Sequence, residues 1–539
     1  MIKELLYKTG MLICVFSIAV LLSACGRILP TAPTPTPAPI EDENIYDDHQ
    51  PTERTHAPVG LFPDDGVLRL AMRHPLTLNP LLNEDYTVAK ILSLIFEPLI
   101  VFDHDLRPSG HLASIEMASD FSSATLEIRS DAIWSDGMPV TSDDLIFSIE
   151  VLRLAPETVI YKSNVENIAT ITRVNSRTVI IHFHQSSATA AYTLNFPIIP
   201  EHHYRGHNNP VSARNLEPLG NGSFIFESIS PMLSMTLIAS PYSFRRRSEI
   251  SEIEILFIPD AVSRLHAFDQ GIVDAIRLPF SEWVKHHSVK PVNHAEFPVM
   301  YFEFIGFNFN RELFQDIQVR RGIAHVFDAD EAMNAIYSHQ AVAAVSPIHP
   351  SSWMHDDAVR RLPLDFSEAL RSLRLLDTEY PTIILVNEEH IERVHIARRL
   401  AHELQMIQAL RSDFPTATFE VVVLPFDEYH ERLMYGDFDI FLGGMELSLV
   451  PDLGFMFQGG ELFGYFPEME DLLAALNSAL TETAFLQAVS ALQQAFVEHV
   501  PIISLGFRHS AVLTGTRVTQ GRFPPADHVF AFINEWVIE

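Results

Sequence analysis

Cysteine is almost absent. Of 539 residues only Cys14 and Cys25 carry a thiol, and both lie at the very start of the chain. The remainder therefore has no disulfide, no thiolate metal site and no cysteine nucleophile. An exported chain can do without disulfides when its core is large. Basic side chains are scarce too: 37 Lys and Arg against 69 Asp and Glu give a formal net charge of -32. Such a surface repels nucleic acid and anionic lipid headgroups, so no nucleic-acid partner is expected. After the N-terminal stretch no apolar run approaches the ~20 residues that span a bilayer. His-Glu-x-x-His and Gly-x-Ser-x-Gly are both missing, as are internal repeats and later low-complexity tracts. What is present is ordinary globular material, 47% hydrophobic and 20% charged. Single cores stop growing at roughly 250–300 residues, so at least two lobes are expected.

Residues 1–24 read as a secretion signal. Lys3 and Lys8 make a positive start, and 11–22, MLICVFSIAVLL, is an apolar run too short to span. Leu22-Ser23-Ala24-Cys25-Gly26 follows, with small residues suited to a signal peptidase. A cysteine at the cut resembles the lipobox of bacterial lipoproteins. That resemblance implies that Cys25 is diacylated, becomes the mature N-terminus and anchors the protein; lipid adds ~0.8 kcal/mol per buried methylene. Residues 30–40, PTAPTPTPAPI, favour extended polyproline II, and 41–48 are acidic and polar. Residues 25–65 are thus expected to be a lipidated, proline-rich tether that holds the body off the membrane.

From residue 66 on, strand-like runs mix with amphipathic helices. Val67 to Ala71, 124–129 and 177–183 (RTVIIHF) read as strands, and 87–96 has helical spacing at Val88, Ile91, Leu92 and Ile95. Thr141-Ser142-Asp143-Asp144 before Leu145 is a capped helix start, with acids where the helix dipole favours them. Strands at 381–386, 419–424 and 438–442, a helix at 391–410 and two helices within 469–500 complete an alternating α/β pattern.

The run 126–150, LEIRSDAIWSDGMPVTSDDLIFSIE, carries a more specific signal in Trp134, Ser135, Asp136, Gly137, Pro139, Thr141, Asp144, Phe147 and Ser148. Leu78-Asn79-Pro80, Ile95-Phe96-Glu97-Pro98-Leu99, 196–204 (FPIIPEHHY), Leu219-Gly220-Asn221-Gly222-Ser223-Phe224 and Gly436-Asp437-Phe438-Asp439 follow in order. So do Ile258-Pro259-Asp260 with Arg264, Gly271-x-x-Asp274, and Phe307-Asn308 with 314–321, Ala324 and Asp328. In these stretches the chain resembles the family 5 extracellular solute-binding proteins, the peptide- and nickel-binding components of ABC importers. The resemblance covers about 66–539 and is weakest in the last thirty or so residues.

It implies an α/β, two-lobed periplasmic-binding-protein-like fold of type II with an inserted subdomain. Lobe one would comprise 66–92, 217–296 and 505–539, the insert 93–216, and lobe two 297–504. The implied function is substrate binding for an ABC importer: lobe closure captures a peptide-like or other small solute, and permease subunits in the membrane are the partners. A sensor or pheromone-type receptor of the same fold and a degenerate surface protein are the alternatives. The chain is expected to be a monomer on the extracytoplasmic face of the cell membrane, without catalytic residues, metal or cofactor.

Two loops are candidates for ligand contact. The first holds Glu84, Asp85 and Tyr86, whose acids suit an ammonium group, although Asp85 also reads as a helix cap. The second holds Gly443-Gly444-Met445-Glu446-Leu447-Ser448. In relatives it reads Gly-Trp followed by an aspartate for the peptide α-amine. Here Met445 replaces the tryptophan and Ser448 stands near the aspartate's place. A buried ammonium needs an anionic partner, which leaves Glu446 or Asp452 to supply it. Other pairings have plain structural readings. Asp136-Gly137 is a turn and Trp134 packs at a strand end. His202-His203, if on a strand, point to opposite faces. His207 joins them in the best histidine cluster, with His286-His287 next, but neither completes a metal-binding motif; His182 and His184 lack companion ligands, and Arg508-His509-Ser510 is adjacency without triad geometry.

Overall fold

In the segment Val67–Met72, Leu68, Leu70 and Met72 are buried, the alternation of a strand with one face on a core. This strand pairs in parallel with Glu252–Phe257, which places Leu68 beside Ile253 and Leu70 beside Ile255. Ser234–Ala239 and Phe224–Ser230 complete a four-stranded sheet. The computed structural model describes residues 66–539 apart from 208, 280–290, 339, 377–378, 411–415, 450–452, 460–461 and 523–527. Cys25 and the expected signal and tether lie outside the described residues.

A second four-stranded sheet runs in the order Ala113–Met117, Ser123–Ile128, Thr178–Phe183, Ile168–Arg173. The RTVIIHF run forms its strand as expected: Val179, Ile181 and Phe183 turn inward, while His182 is exposed. Helix Ser142–Leu154 lies beside this sheet and starts with a reciprocal cap between Thr141 and Asp144. Its residues Leu145, Ile149 and Leu152 share one apolar core with Leu126, Ile181, Leu68 and Ile255. The two sheets are therefore packed around a common interior.

The third sheet has seven strands. Its order is Ala275–Pro279, Ile503–Thr514, Asn293–Phe307, Ile440–Glu446, Thr382–Asn387, Phe419–Leu424, and Ala341–Ala343 also pairs with Ile503–Thr514. At its centre the long strands Asn293–Phe307 and Ile503–Thr514 run antiparallel. Their register breaks between Pro298 and Phe302, opposite His509 and Phe507. Proline cannot donate to a ladder, so the break falls where the chain has one. Along the far strands successive side chains face two different cores. Ile305, Ile384, Val386 and Ile440 meet helices Ile317–Ala324, Ala329–Ile336 and Ile391–Ala409. Phe304, Leu385 and Phe441 meet Phe426–Tyr435, Glu470–Asn477 and Glu482–His499. Helices on both faces of strands that are apolar on both sides make this an α/β arrangement.

Most strand boundaries move by a residue or two from the sequence reading, and two elements differ more. The opening helix is Tyr86–Leu92 and does not reach Phe96. The chain leaves it because the amides of Gly222 and Phe224 donate to the carbonyls of Ile95 (2.7 Å) and Leu94 (3.0 Å). A Cβ on Gly220 or Gly222 would fall within 2.5 Å of that backbone, so only glycine permits the approach. His202 and His203 sit on the short helix Glu201–Tyr204, not on a strand.

Candidate functional site

The opening helix starts on Asp85, whose carboxylate accepts from the amides of Thr87 (2.8 Å) and Val88 (3.2 Å). Arg73 lies 3.4 Å from its other oxygen. Asp85 is thus occupied as a cap. Glu84 is exposed and accepts from Thr158 Oγ1 at 2.5 Å. Val88, Ile91 and Leu92 turn into the core, which leaves Tyr86, 70% exposed, on the open side with Lys90.

That open side borders a cavity of about 400 Å³. Leu70 and Ala71 of the first strand, Tyr86, Lys90 and Ile91 of the helix, and Phe530 near the C-terminus line it. Arg264, Ile276, Arg277 and Val512 add a second wall, and Glu446 faces them from the end of strand Ile440–Glu446. Strand alternation decides which loop residues reach it. Met445 pairs with Phe302 and packs partly buried against the core that holds Phe304 and Phe441. Glu446 points the other way. Of the six residues expected to touch ligand, Tyr86 and Glu446 line this cavity, and Glu84, Asp85, Met445 and Ser448 do not. Ser448 is exposed, and Asp452 lies outside the described residues.

Two more cavities continue the first. One of about 240 Å³ shares Tyr86, Lys90 and Val529 with it. The next, about 410 Å³, shares Asn195 and His528 with the second and reaches Leu449 just beyond the loop. Its floor holds Glu97, which is 2% exposed and lies 2.6 Å from His111 Nε2 and 3.4 Å from Arg245 Nη1. Burial pushes the Glu97 carboxyl up, but the His111 hydrogen bond and the Arg245 charge outweigh it and hold the group below the usual carboxylate range. Burial pushes the His528 imidazole down to about 4, so it stands neutral at pH 7.

Behind the loop lies a buried ion cluster. Glu303 accepts from Arg393 Nε at 2.7 Å and lies 2.8 Å from Arg508 Nε. Arg508 stacks 4.0 Å over the Tyr301 ring, and the Tyr301 hydroxyl donates to the Gly444 carbonyl at 3.2 Å. A Cβ on Gly444 would lie 2.2 Å from Arg393 Nη2, so the strand carrying Glu446 can rest here only as glycine. Sequence reading missed this cluster and the cavity-lining positions of Lys90, Arg264 and Arg277. One signal was available: Glu303 is a lone charge within the apolar run YFEFIGF.

The remaining motifs are structural. Asp144 accepts from Trp134 Nε1 (3.2 Å), the Thr141 amide (2.8 Å) and the Glu201 amide (2.9 Å), which ties the Trp-Ser-Asp-Gly turn to the proline–histidine step. His202 pairs with Asp136 (2.7 Å), His203 with the Glu217 carbonyl (2.9 Å) and His207 with Ser212 (3.0 Å). Among the described residues no three metal-ligating side chains gather, and His286-His287 lie outside them. Ser510 donates to the Leu278 carbonyl (2.9 Å) while His509 lies 3.7 Å from Glu296, so the adjacent pair does not meet.

Comparison with known proteins agrees with this geometry. The family model for bacterial extracellular solute-binding proteins, family 5 middle, matches residues 107–459. A probable peptide-binding protein, YejA, of Agrobacterium fabrum is 28% identical over 321 residues, 53% of this chain and 50% of the relative. A putative ABC transporter peptide-binding protein of Brucella ovis is 24% identical over 256 residues, 46% of this chain and 48% of the relative. The chain thus spans about half the length of these curated relatives. Among solved structures, the ABC transporter substrate-binding protein CtaP of Listeria monocytogenes superposes with a TM-score of 0.75 at 17% identity, covering 88% of this chain and 100% of that one. NikZ of Campylobacter jejuni, in complex with Ni(L-His), gives 0.65 at 19% identity, with coverage of 88% and 100%. The fold is the two-lobed, mixed α/β type II binding-protein fold. With the family model matched over well more than half its length, the chain belongs to the family 5 bacterial extracellular solute-binding proteins.

Proposed function

We propose that this protein is the substrate-binding component of an ABC importer, held to the extracytoplasmic face of the membrane by lipid on Cys25. It captures a peptide-like or other small solute between two lobes and presents the closed form to permease subunits. The observation that carries this reading is the cavity of about 400 Å³ walled by the opening helix on one side and by Glu446, at the end of a seven-stranded-sheet strand, on the other. Two long strands link these regions, and their pairing is irregular at Pro298–Phe302. That break is the proposed hinge, close to the expected lobe boundaries at 296/297 and 504/505. Ligand touching both walls would stabilise the closed arrangement.

Thermal-shift titration of the full chain against peptide pools, free amino acids, nickel–histidine mixtures and sugars tests the binding role. A ligand of the native state raises the midpoint by mass action. Small-angle scattering then reads closure: a shrinking radius of gyration with ligand supports it, and an unchanged one removes it. Cys25→Ser should release the protein from the membrane fraction; retention there would remove the lipid anchor.

A further inference from the structure

The third cavity, of about 410 Å³, has its charges matched within the protein. Glu97 on its floor lies 2.6 Å from His111 Nε2 and 3.4 Å from Arg245 Nη1, and Arg245 also donates to the Ala531 carbonyl. His528, on its wall, is neutral at pH 7 because burial holds the imidazole down at about 4. A charged ligand group that entered here would leave water and find its possible counter-charges already engaged. Burying a charge on those terms is costly, so the cavity favours an uncharged group.

The rest of the lining is apolar and braced from behind. Val101, Phe102, Leu449, Ala531 and Phe532 supply it. Phe102 stacks on Tyr192 with ring centroids 5.3 Å apart. Arg522 lies 4.3 Å over the Phe532 ring and is itself paired with Glu535 at 2.6 Å. A space of this volume accepts an aromatic ring, and walls that carry rings favour one through offset and edge contacts. His528 adds a polar group that lacks a partner. It stands with Asn195 where the second and third cavities meet. Its Nδ1 is buried and has no hydrogen-bond partner among the described residues. Buried polar groups are normally hydrogen-bonded, so this imidazole gains from a ligand hydroxyl or N–H beside it.

Resting on the solute-binding reading, we infer that the ligand carries an uncharged aromatic group with one hydrogen-bonding atom, a phenol or an indole, and that this group fills the third cavity between Phe102 and Phe532 with its polar atom toward His528. The remainder of the ligand runs back through the second cavity to the first, where Tyr86 and Glu446 stand.

The test uses the full chain and five probes that differ in one side chain: the N-acetyl amides of tyrosine, tryptophan, phenylalanine, glutamate and lysine. Calorimetry should show the tyrosine probe, the tryptophan probe or both binding at least about tenfold more tightly than the two charged probes. They should also bind about threefold or more tightly than the phenylalanine probe, which has the ring without the polar atom. Comparing tyrosine with tryptophan separates phenol from indole. His528→Phe keeps a ring and removes its nitrogens, so it should abolish the preference over phenylalanine while aromatic binding remains, a change in ratio that a merely structural role would not produce. Leu449→Trp fills the cavity and should weaken every aromatic probe. If one variant fails to fold, the other and the probe series still decide. Charged probes that bind as tightly as the aromatic ones overturn the inference, as do equal binding of tyrosine, tryptophan and phenylalanine, and variants that behave like the parent. Silence with all five probes, while a peptide, amino-acid, nickel–histidine or sugar pool gives a thermal shift, overturns the aromatic ligand and leaves the binding role standing. Silence across those pools as well counts against the binding role itself.

Discussion

Arg393 donates to Glu303 at 2.7 Å in a place where neither side chain is more than 6% exposed. Arg508 shares the same carboxylate from the long strand Ile503–Thr514, next to the register break, so one acid joins the two long strands to the helix Ile391–Ala409. Burial pushes the Glu303 carboxyl up, yet the Arg393 and Arg508 charges hold it low. Glu303→Gln would leave two guanidinium groups without their anion. Removing one partner of a buried pair costs about 3–5 kcal/mol. Urea denaturation followed by circular dichroism should show a loss of that order; a loss under about 1 kcal/mol would show that the cluster is not structural.

Gly444→Ala tests how tightly the loop is set. The added methyl would meet Arg393 Nη2 at 2.2 Å and the Tyr301 ring at 2.7 Å. Overpacking of this kind costs about 1–3 kcal/mol, and the strand that carries Glu446 must shift to relieve it. A lower melting midpoint together with weaker ligand binding is expected, measured by thermal shift and calorimetry on one preparation. Unchanged affinity would mean that the cavity does not depend on this strand.

Asp144→Ala removes four hydrogen bonds at once, from Trp134 Nε1, from the Thr141 hydroxyl and from the amides of Thr141 and Glu201. A lost cap costs about 1 kcal/mol, and a buried donor left without a partner about 1–3 kcal/mol. Destabilisation of about 2–4 kcal/mol is expected. Near-ultraviolet circular dichroism should also lose part of the Trp134 signal.

Stability should fall steadily as pH drops from about 6.5 to about 4. His349, His390 and His528 are each pushed down to about 4, first of all by burial, from 6.5. Their unfolded forms gain protons below 6.5 while the folded forms do not, so unfolding takes up protons across this window. Glu97 acts lower down: its depressed pKa adds stability above the ordinary carboxylate value, and this is lost as pH falls through the folded one. Melting midpoints at half-unit pH steps measure the slope. A flat profile between pH 4 and 6.5 would mean that these imidazoles are solvated, and replacing His528 with asparagine should reduce the slope.

Local structure was legible where its causes are local. The alternation in RTVIIHF fixes a strand, and Thr141 with Asp144 fixes a helix start, because both depend on neighbours within four residues. Asp85 was legible as a cap for the same reason. The partner of Glu84 was not legible, since Thr158 comes from a distant turn. Met445 and Glu446 show the limit most directly. Adjacent in sequence, they face a core and a cavity, and which faces which follows from the register of Ile440–Glu446 on Asn293–Phe307.

The sequence by itself determined the family pattern, the α/β alternation, the acidic charge and the caps, since each is written in short-range order or in totals. Only the tertiary structure decided that Lys90, Arg264 and Arg277 share a wall with Glu446, and that Glu303 holds two arginines. These groups are brought together by sheet order and core packing, and no periodicity along the chain encodes a contact between residues so far apart.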